Sequence, residues 1–250
     1  MSVVTRKSAS EIDRMRHAGR IVAEVLALVE SELRPGVTTA YLDEIAERHI
    51  LAAGATPSFK GYYGFPSSVC ISIDEEVVHG IPGDRTIRAG QVVSIDAGAI
   101  WDGYHGDAAR TFVVGDVPER VRKLVADTRL GLMAGIAAAR PGHHVGDISA
   151  AVEAIARPEG YGVVRNYVGH GIGTRMHEAP QVPNYATPSK GLKLVPGICL
   201  AIEPMFTLGT WECDVKDDEW TVVTRDGSLA AHFEHTIAIT EDGSEILTTV

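Results

Sequence analysis

The chain has 250 residues, a formal charge of −10 and a pI near 5.4, a balance that argues against nucleic acid as its main partner. Its 45% hydrophobic content can bury a substantial core, and no run approaches the roughly 18 apolar residues of a membrane span. Cys70, Cys199 and Cys213 form no CxxC and leave an odd count, and the N-terminus lacks the apolar stretch of a signal peptide, so a reducing, cytoplasmic setting is expected.

The first helix is predicted from near Ser10, with Asp13 completing a variant capping box. Met15, Ala18, Val22, Val25, Val29 and Leu33 repeat at helical spacing along it, until Pro35-Gly36 stops it. A second helix runs from about Thr39 to Ala53, with Leu42, Ile45, Ala46 and His49 inward and Gly54 just past its end. Residues 57–68 read as an irregular loop dense in aromatics and glycine. Short strands at 69–73 and near 77–78 then lead to His79-Gly80-Ile81-Pro82.

Residues 91–115 predict a β-hairpin closed by Asp102-Gly103, a strong two-residue turn signal. In that register Asp96 faces Ala109, so Asp107 becomes its diagonal neighbour on one face, about 7–8 Å away. Alone, such a pair fits an exposed polar edge as well as a shared ligand site. Pro118, placed at the first helical position, opens a long helix to about Ala139, and Asp147 caps a shorter one ending before Pro158. Strand-like segments follow at 162–168, 198–203, 220–224 and 233–239. Without a regular βαβ alternation the class is α+β, read as one domain over 1–250.

An internal repeat runs through the chain, roughly 10–115 and 118–245. Arg34-Pro35-Gly36, a helix and Gly54 recur as Arg140-Pro141-Gly142, a helix and Gly160. His79-Gly80-Ile81 recurs as His170-Gly171-Ile172, and the strand ending in Asp96 recurs as the strand ending in Glu203. Two halves facing each other would converge histidines and acids on one cleft. The candidates are Asp96, Asp107, His170, Glu203 and Glu234, with His79 and His177 nearby. Acids flanked by apolar strand residues are almost never buried unless paired or metal-bound. Four carboxylates and one imidazole suit divalent manganese, iron, cobalt or zinc.

The segments NYVGHGIGTRMHEAPQVPNY, LAIEPMF, FEHTIAIT, VSIDAGAIWDGYHGDAARTF and VVHGIPGD resemble the bacterial type I methionine aminopeptidases, in order, from about residue 10 to the C-terminus. The resemblance implies the pita-bread fold, a duplicated α+β domain with pseudo-two-fold symmetry. It implies two divalent ions, held by Asp96, Asp107, His170, Glu203 and Glu234, with Asp107 and Glu234 bridging. Glu203 would also be general base toward a bridging hydroxide, His177 would steady the oxyanion, and His79 would bond near the second residue's nitrogen. Tyr62, Phe65, Cys70, Met176 and Trp220 would line the methionine slot. The implied substrate is the N-terminal Met of nascent chains, with a small second residue, as in the protein's own Met1-Ser2. Transient ribosome association, no membrane contact and a monomeric state go with that reading.

His17, His49, His105, His143, His144 and His232 are read as ordinary surface or core histidines, and His235 as a group that orients a neighbouring ligand. Glu75-Glu76 and Asp217-Asp218-Glu219 are read as solvated charge runs. Departures are Asp74-Glu75-Glu76, where the family often has Asn-Glu-Val beside an accessory monovalent-cation site, and Phe59, where some relatives carry cysteine. No N-terminal extension with zinc-finger or proline-rich docking features is expected, and the interval from Glu203 to Glu234 has no room for the helical insert of type II enzymes. The rivals are a proline-specific pita-bread peptidase, which usually carries a further N-terminal domain, and a binding module that has lost its ligands.

Overall fold

The computed structural model describes residues 4–250, so Met1-Ser2 lies outside the described residues. Helix α1 (Ala9–Glu32) starts two residues earlier than expected. Ser8 is the cap: its hydroxyl accepts from the Glu11 amide while the Glu11 carboxylate accepts from the Ser8 amide. Asp13 is instead exposed and paired with Arg16. The stripe Met15, Ala18, Val22, Val25 and Val29 is fully buried, and Leu33 at the helix end is half-buried. Helix α2 (Thr39–Ala52) follows, with His49 only half-buried and bonded to Glu24.

These helices cover one face of an antiparallel sheet in which β2 (Gln91–Trp101) lies between β1 (Val69–Ile73) and β3 (Tyr104–Val114). Asp102 and Gly103 both take positive φ, +46° and +78°, the mirror-image turn that matches the twist of paired strands. The register is the expected one, with Asp96 opposite Ala109 on one side and Cys70 on the other.

The second half repeats the plan. Helix α3 (Glu119–Ala138) is preceded by Pro118 at the capping position, one residue outside the predicted place. In α4 (Val145–Ala156) the cap is His144, and Asp147 sits three residues in, accepting from the His144 amide. The helices lie on a five-stranded sheet made of β4 (Gly169–Gly171), β5 (Glu178–Val182), β6 (Cys199–Ile202), β7 (His235–Ile239) and β8 (Ser244–Ile246), in the order β8-β7-β6-β4-β5. Leu132, Ile136, Ile148, Leu200, Ile202 and Ile237 fill the space between. Corresponding turn glycines of the two halves share one conformation: Gly36 and Gly142 have φ of +95° and +89°, and Gly90 and Gly197 have +88° and +92°.

Several short strands carry no readable sequence pattern. Within 162–168 only Gly162–Val163 is a strand, and within 220–224 only Val222–Thr224, because the Asp218 carboxylate takes the Trp220 and Thr221 amides. Glu76 is not solvated: it is 5% exposed and accepts from the Ile73 amide, Arg85 and Lys216.

The halves are sewn together along β3 and β7. Ala109 and Glu234 exchange both backbone hydrogen bonds, at 3.3 and 2.9 Å, and the Thr236 hydroxyl bonds the Asp107 amide and carbonyl. This seam sets Asp107 beside Glu234. Helix α1 reaches the seam because Gly19 and Gly106 lack side chains. A Cβ on Gly106 would lie 2.6 Å from the Gly19 nitrogen, and one on Gly19 would lie 2.3 Å from the Leu247 carbonyl oxygen. Backbone atoms cannot step aside. Although alanine favours a helix over glycine by about 1 kcal/mol, Gly19→Ala is expected to lower the unfolding free energy by about 1–3 kcal/mol. Denaturant midpoints read this directly, and a stabilised variant would contradict the close packing.

Candidate metal centre

Alternation along β2 and β3 sends Asp96 and Asp107 to one face, where their carboxyl groups hydrogen-bond to each other. His170 sits in the short β4, and its Nδ1 donates to the Gly171 carbonyl at 2.9 Å. That bond fixes the tautomer and leaves the Nε2 lone pair free toward the cleft. Glu203 follows directly after β6, its backbone carbonyl accepting from Asn184 at 3.0 Å. Glu234 is held by the Ala109 seam.

All five expected ligands therefore meet. One ligand atom each from Asp107, His170 and Glu234 fall within 4.8 Å of one another. Asp96 joins through Asp107, and Glu203 Oε1 lies 3.7 Å from His170 Nε2. Asp107, Glu234 and His170 are 2, 2 and 6% exposed. Asp96 and Glu203 show slightly more surface, all of it to the cleft.

The cleft, about 250 Å³, is lined by no lysine or arginine. Asp96 Oδ1, Asp107 Oδ1 and Glu234 Oε1 are buried without a hydrogen-bond partner among the described residues. Burial, and then the neighbouring carboxylates, push Asp107 and Glu234 well above the ordinary acid range. Burial raises Asp96 to about 7, and burial with Asp96 nearby raises Glu203 to about 8. Burial, with His177 alongside, lowers His170 to about 3, so its imidazole is neutral at pH 7. Four carboxylates, three of them with an orphaned oxygen, and one neutral nitrogen, without a counter-charge, fit a divalent-metal site of mixed oxygen and nitrogen ligands.

Every residue expected around the ligands lines the same cleft: Tyr62, Phe65, Cys70, Met176, Trp220, His79 and His177. Phe65 and Trp220 meet edge to face, ring centroids 5.1 Å apart, over the buried Cys70 and Met176. Burial holds the Cys70 thiol protonated, so it is an apolar wall rather than a ligand. His79, on a residue with φ of +61°, is lowered to about 4 by burial and then by His177. His177 stands exposed at the mouth, 2.8 Å from the Tyr62 hydroxyl, its ring centroid 4.2 Å from that of His170.

Phe59 and Tyr63 complete the lining and were not expected there. His232, read as a core residue, lies with its Nε2 3.7 Å from Glu203 Oε2. Its position two residues before Glu234 was the available signal, since alternate residues share a face. His235 is on the opposite face and bonds Thr248 at 2.7 Å, so it orients no ligand. It borders a larger hollow of about 630 Å³ between α3 and the back of β3, which holds none of the cleft acids.

The chain matches the model of metallopeptidase family M24 over residues 13–241. It is 52% identical over 243 residues to a methionine aminopeptidase of Clostridium acetobutylicum, covering 97% of each chain. The crystal structure of methionine aminopeptidase from Thermotoga maritima superposes with a TM-score of 0.97 at 44% identity, covering 99% of this chain and 100% of that one. The prolidase of Pyrococcus furiosus superposes with a TM-score of 0.79 at 25% identity, and only 65% of it is covered.

The electrostatics fix a sign. Above about pH 7.5 the buried histidines are almost wholly neutral whether the chain is folded or not. There the unfolded acids are ionised, while Asp96, Glu203, Asp107 and Glu234 still hold protons in the fold. Groups raised in the folded state lose their stabilising effect as pH climbs through their folded values. The metal-free protein should therefore melt at a lower temperature at pH 8.5 than at pH 7.5, and manganese should reverse that slope. A metal-free melting temperature that rises over the same interval would contradict the assignment.

Proposed function

The chain belongs to metallopeptidase family M24 and within it to the type I methionine aminopeptidases, with the pita-bread fold, and on that premise we propose how its cleft works. The enzyme removes N-terminal methionine in a metal-dependent reaction. The observation that carries the site assignment is the convergence of Asp107, His170 and Glu234 beneath an aromatic slot.

In our reading Asp96, Asp107, His170, Glu203 and Glu234 would hold the divalent metal, two ions being the number the family resemblance implies. Bound there, the ions would supply Lewis acidity to the scissile carbonyl, acidify a water and anchor the substrate's free α-amine. Glu203 takes the proton of the attacking water and delivers it to the departing nitrogen. Its raised proton affinity suits both halves of that transfer near neutral pH. His177, at the mouth, donates to the carbonyl oxygen as negative charge collects on it, and Tyr62 holds its ring by bonding Nδ1. His79, neutral at pH 7, hydrogen-bonds near the second residue's nitrogen.

The methionine side chain fills the slot of Tyr62, Phe65, Cys70, Met176 and Trp220, where thioether–aromatic contacts add about 0.3–1.5 kcal/mol each. The His79 loop crowds the other wall and favours a small second residue. Three buried free cysteines support a reducing, cytoplasmic setting, and a monomer acting on nascent chains completes this reading. This ligand set accepts several divalent metals.

Met-Ala-Ser should be cleaved and an X-Pro peptide left intact by the manganese-loaded protein. The reverse preference would move the chain to the proline-specific branch. Glu203→Ala should lower kcat by at least about 100-fold, and a variant as active as the parent would remove Glu203 from its role.

A further inference from the structure

His232 is 1% exposed, and its Nε2 has no hydrogen-bond partner among the described residues. A polar nitrogen so enclosed is uncommon, because burial strips its water and returns nothing. The nearest carboxylate is that of Glu203. Its two oxygens are divided between two imidazoles: Oε1 lies 3.7 Å from His170 Nε2, and Oε2 lies 3.7 Å from His232 Nε2. The backbone of His232 is clamped on both sides, its amide donating to the Thr111 hydroxyl at 2.8 Å and its carbonyl accepting from that hydroxyl at 2.6 Å. Thr111 is bonded in turn to Ser94, at 2.8 Å. The backbone of His232 is thus tied to the hairpin that carries Asp96 and Asp107, and His232 pairs with Met205, two residues beyond Glu203.

From this geometry we infer that His232 is a positioning residue for Glu203: its Nε2–H donates to Oε2 and holds the carboxylate so that Oε1 faces the ligand cluster and the reacting water. At 3.7 Å the bond is not yet closed. Settling of the Glu203 side chain when its ligand cluster is filled shortens it, as hydrogen bonds in working sites often tighten only then. His232 touches no reacting atom. With Oε2 occupied, the proton taken from the water resides on Oε1. Partners of this kind, one step out from a metal ligand, usually change metal affinity or activity by about 10–100-fold when removed.

The inference rests on Glu203 serving as ligand and base, so the two are tested apart. Parent protein and Glu203→Ala, assayed on Met-Ala-Ser, judge that reading without touching His232. His232→Leu removes the donor, and His232→Gln keeps an N–H able to reach Oε2. His232→Met, whose flexible thioether fills the space without a donor, stands in should the Leu protein not fold, as the melting temperature of each metal-free variant reports.

For the donor-less variant we expect kcat on Met-Ala-Ser to fall about 10–100-fold with KM altered less than about twofold, and manganese affinity by calorimetry to fall about 10-fold. Gln should restore both to within about threefold of the parent. A donor-less variant that keeps parental kcat and manganese affinity overturns the inference, with Glu203 still intact as base. A Gln variant as impaired as the Leu or Met variant also overturns it, since ring shape rather than hydrogen-bond donation would then be what matters.

Discussion

Four carboxylates share one cleft with no lysine or arginine in its lining, and the rest of the molecule is arranged around that crowding. Two ionised acids about 4 Å apart repel by about 4 kcal/mol at an effective dielectric near 20, while a whole domain is stable by only about 5–15 kcal/mol. Four such charges cannot coexist without protons or cations among them. In the metal-free chain protons do this: burial lifts Asp96 to about 7, and burial with Asp96 nearby lifts Glu203 to about 8. Divalent ions would replace those protons and satisfy the orphaned oxygens.

The scaffold holds the acids against that repulsion. Asp96 and Asp107 are fixed by an eleven-pair hairpin, and Glu234 is bound to the same hairpin through the backbone of Ala109. The Gly19–Gly106 approach brings α1 close enough to bury this seam. A second tether lies near the mouth. Lys7 and Glu178 form a buried ion pair at 2.7 Å, anchoring the stretch that carries Met176 and His177 to the N-terminal segment. The apolar slot and the charged floor are close neighbours, since Cys70 pairs directly with Asp96 across β1 and β2.

What could be read from the sequence was what has a strong local rule. The Asp102-Gly103 turn fixed the hairpin register and hence the Asp96–Asp107 diagonal, and the helical stripe from Met15 to Val29 marked a buried face. Helix starts slipped by one to three residues at Ser8, Pro118 and His144, where neighbouring residues offer similar caps and the winning one depends on the chain's entry path. The short strands at Met205–Thr207 and Ala230–His232 owe their existence to pairing with each other, not to any pattern of their own. The five ligands were legible as acids and a histidine embedded in apolar strands and through family resemblance. Phe59, Asn184 and His232 were not, because each acts through a contact distant in sequence. Glu76 looked solvated beside Glu75, and only the fold brings Arg85 and Lys216 to it.

If cations take the place of protons between these acids, binding must expel those protons. Calorimetric titration of the metal-free protein with manganese at pH 7, in two buffers of different ionisation enthalpy, counts the protons expelled per ion bound. We predict more than one proton released per chain, since Glu203, Asp107 and Glu234 hold protons there and Asp96 is about half-protonated. Binding without proton release, or no binding at all, would contradict the account.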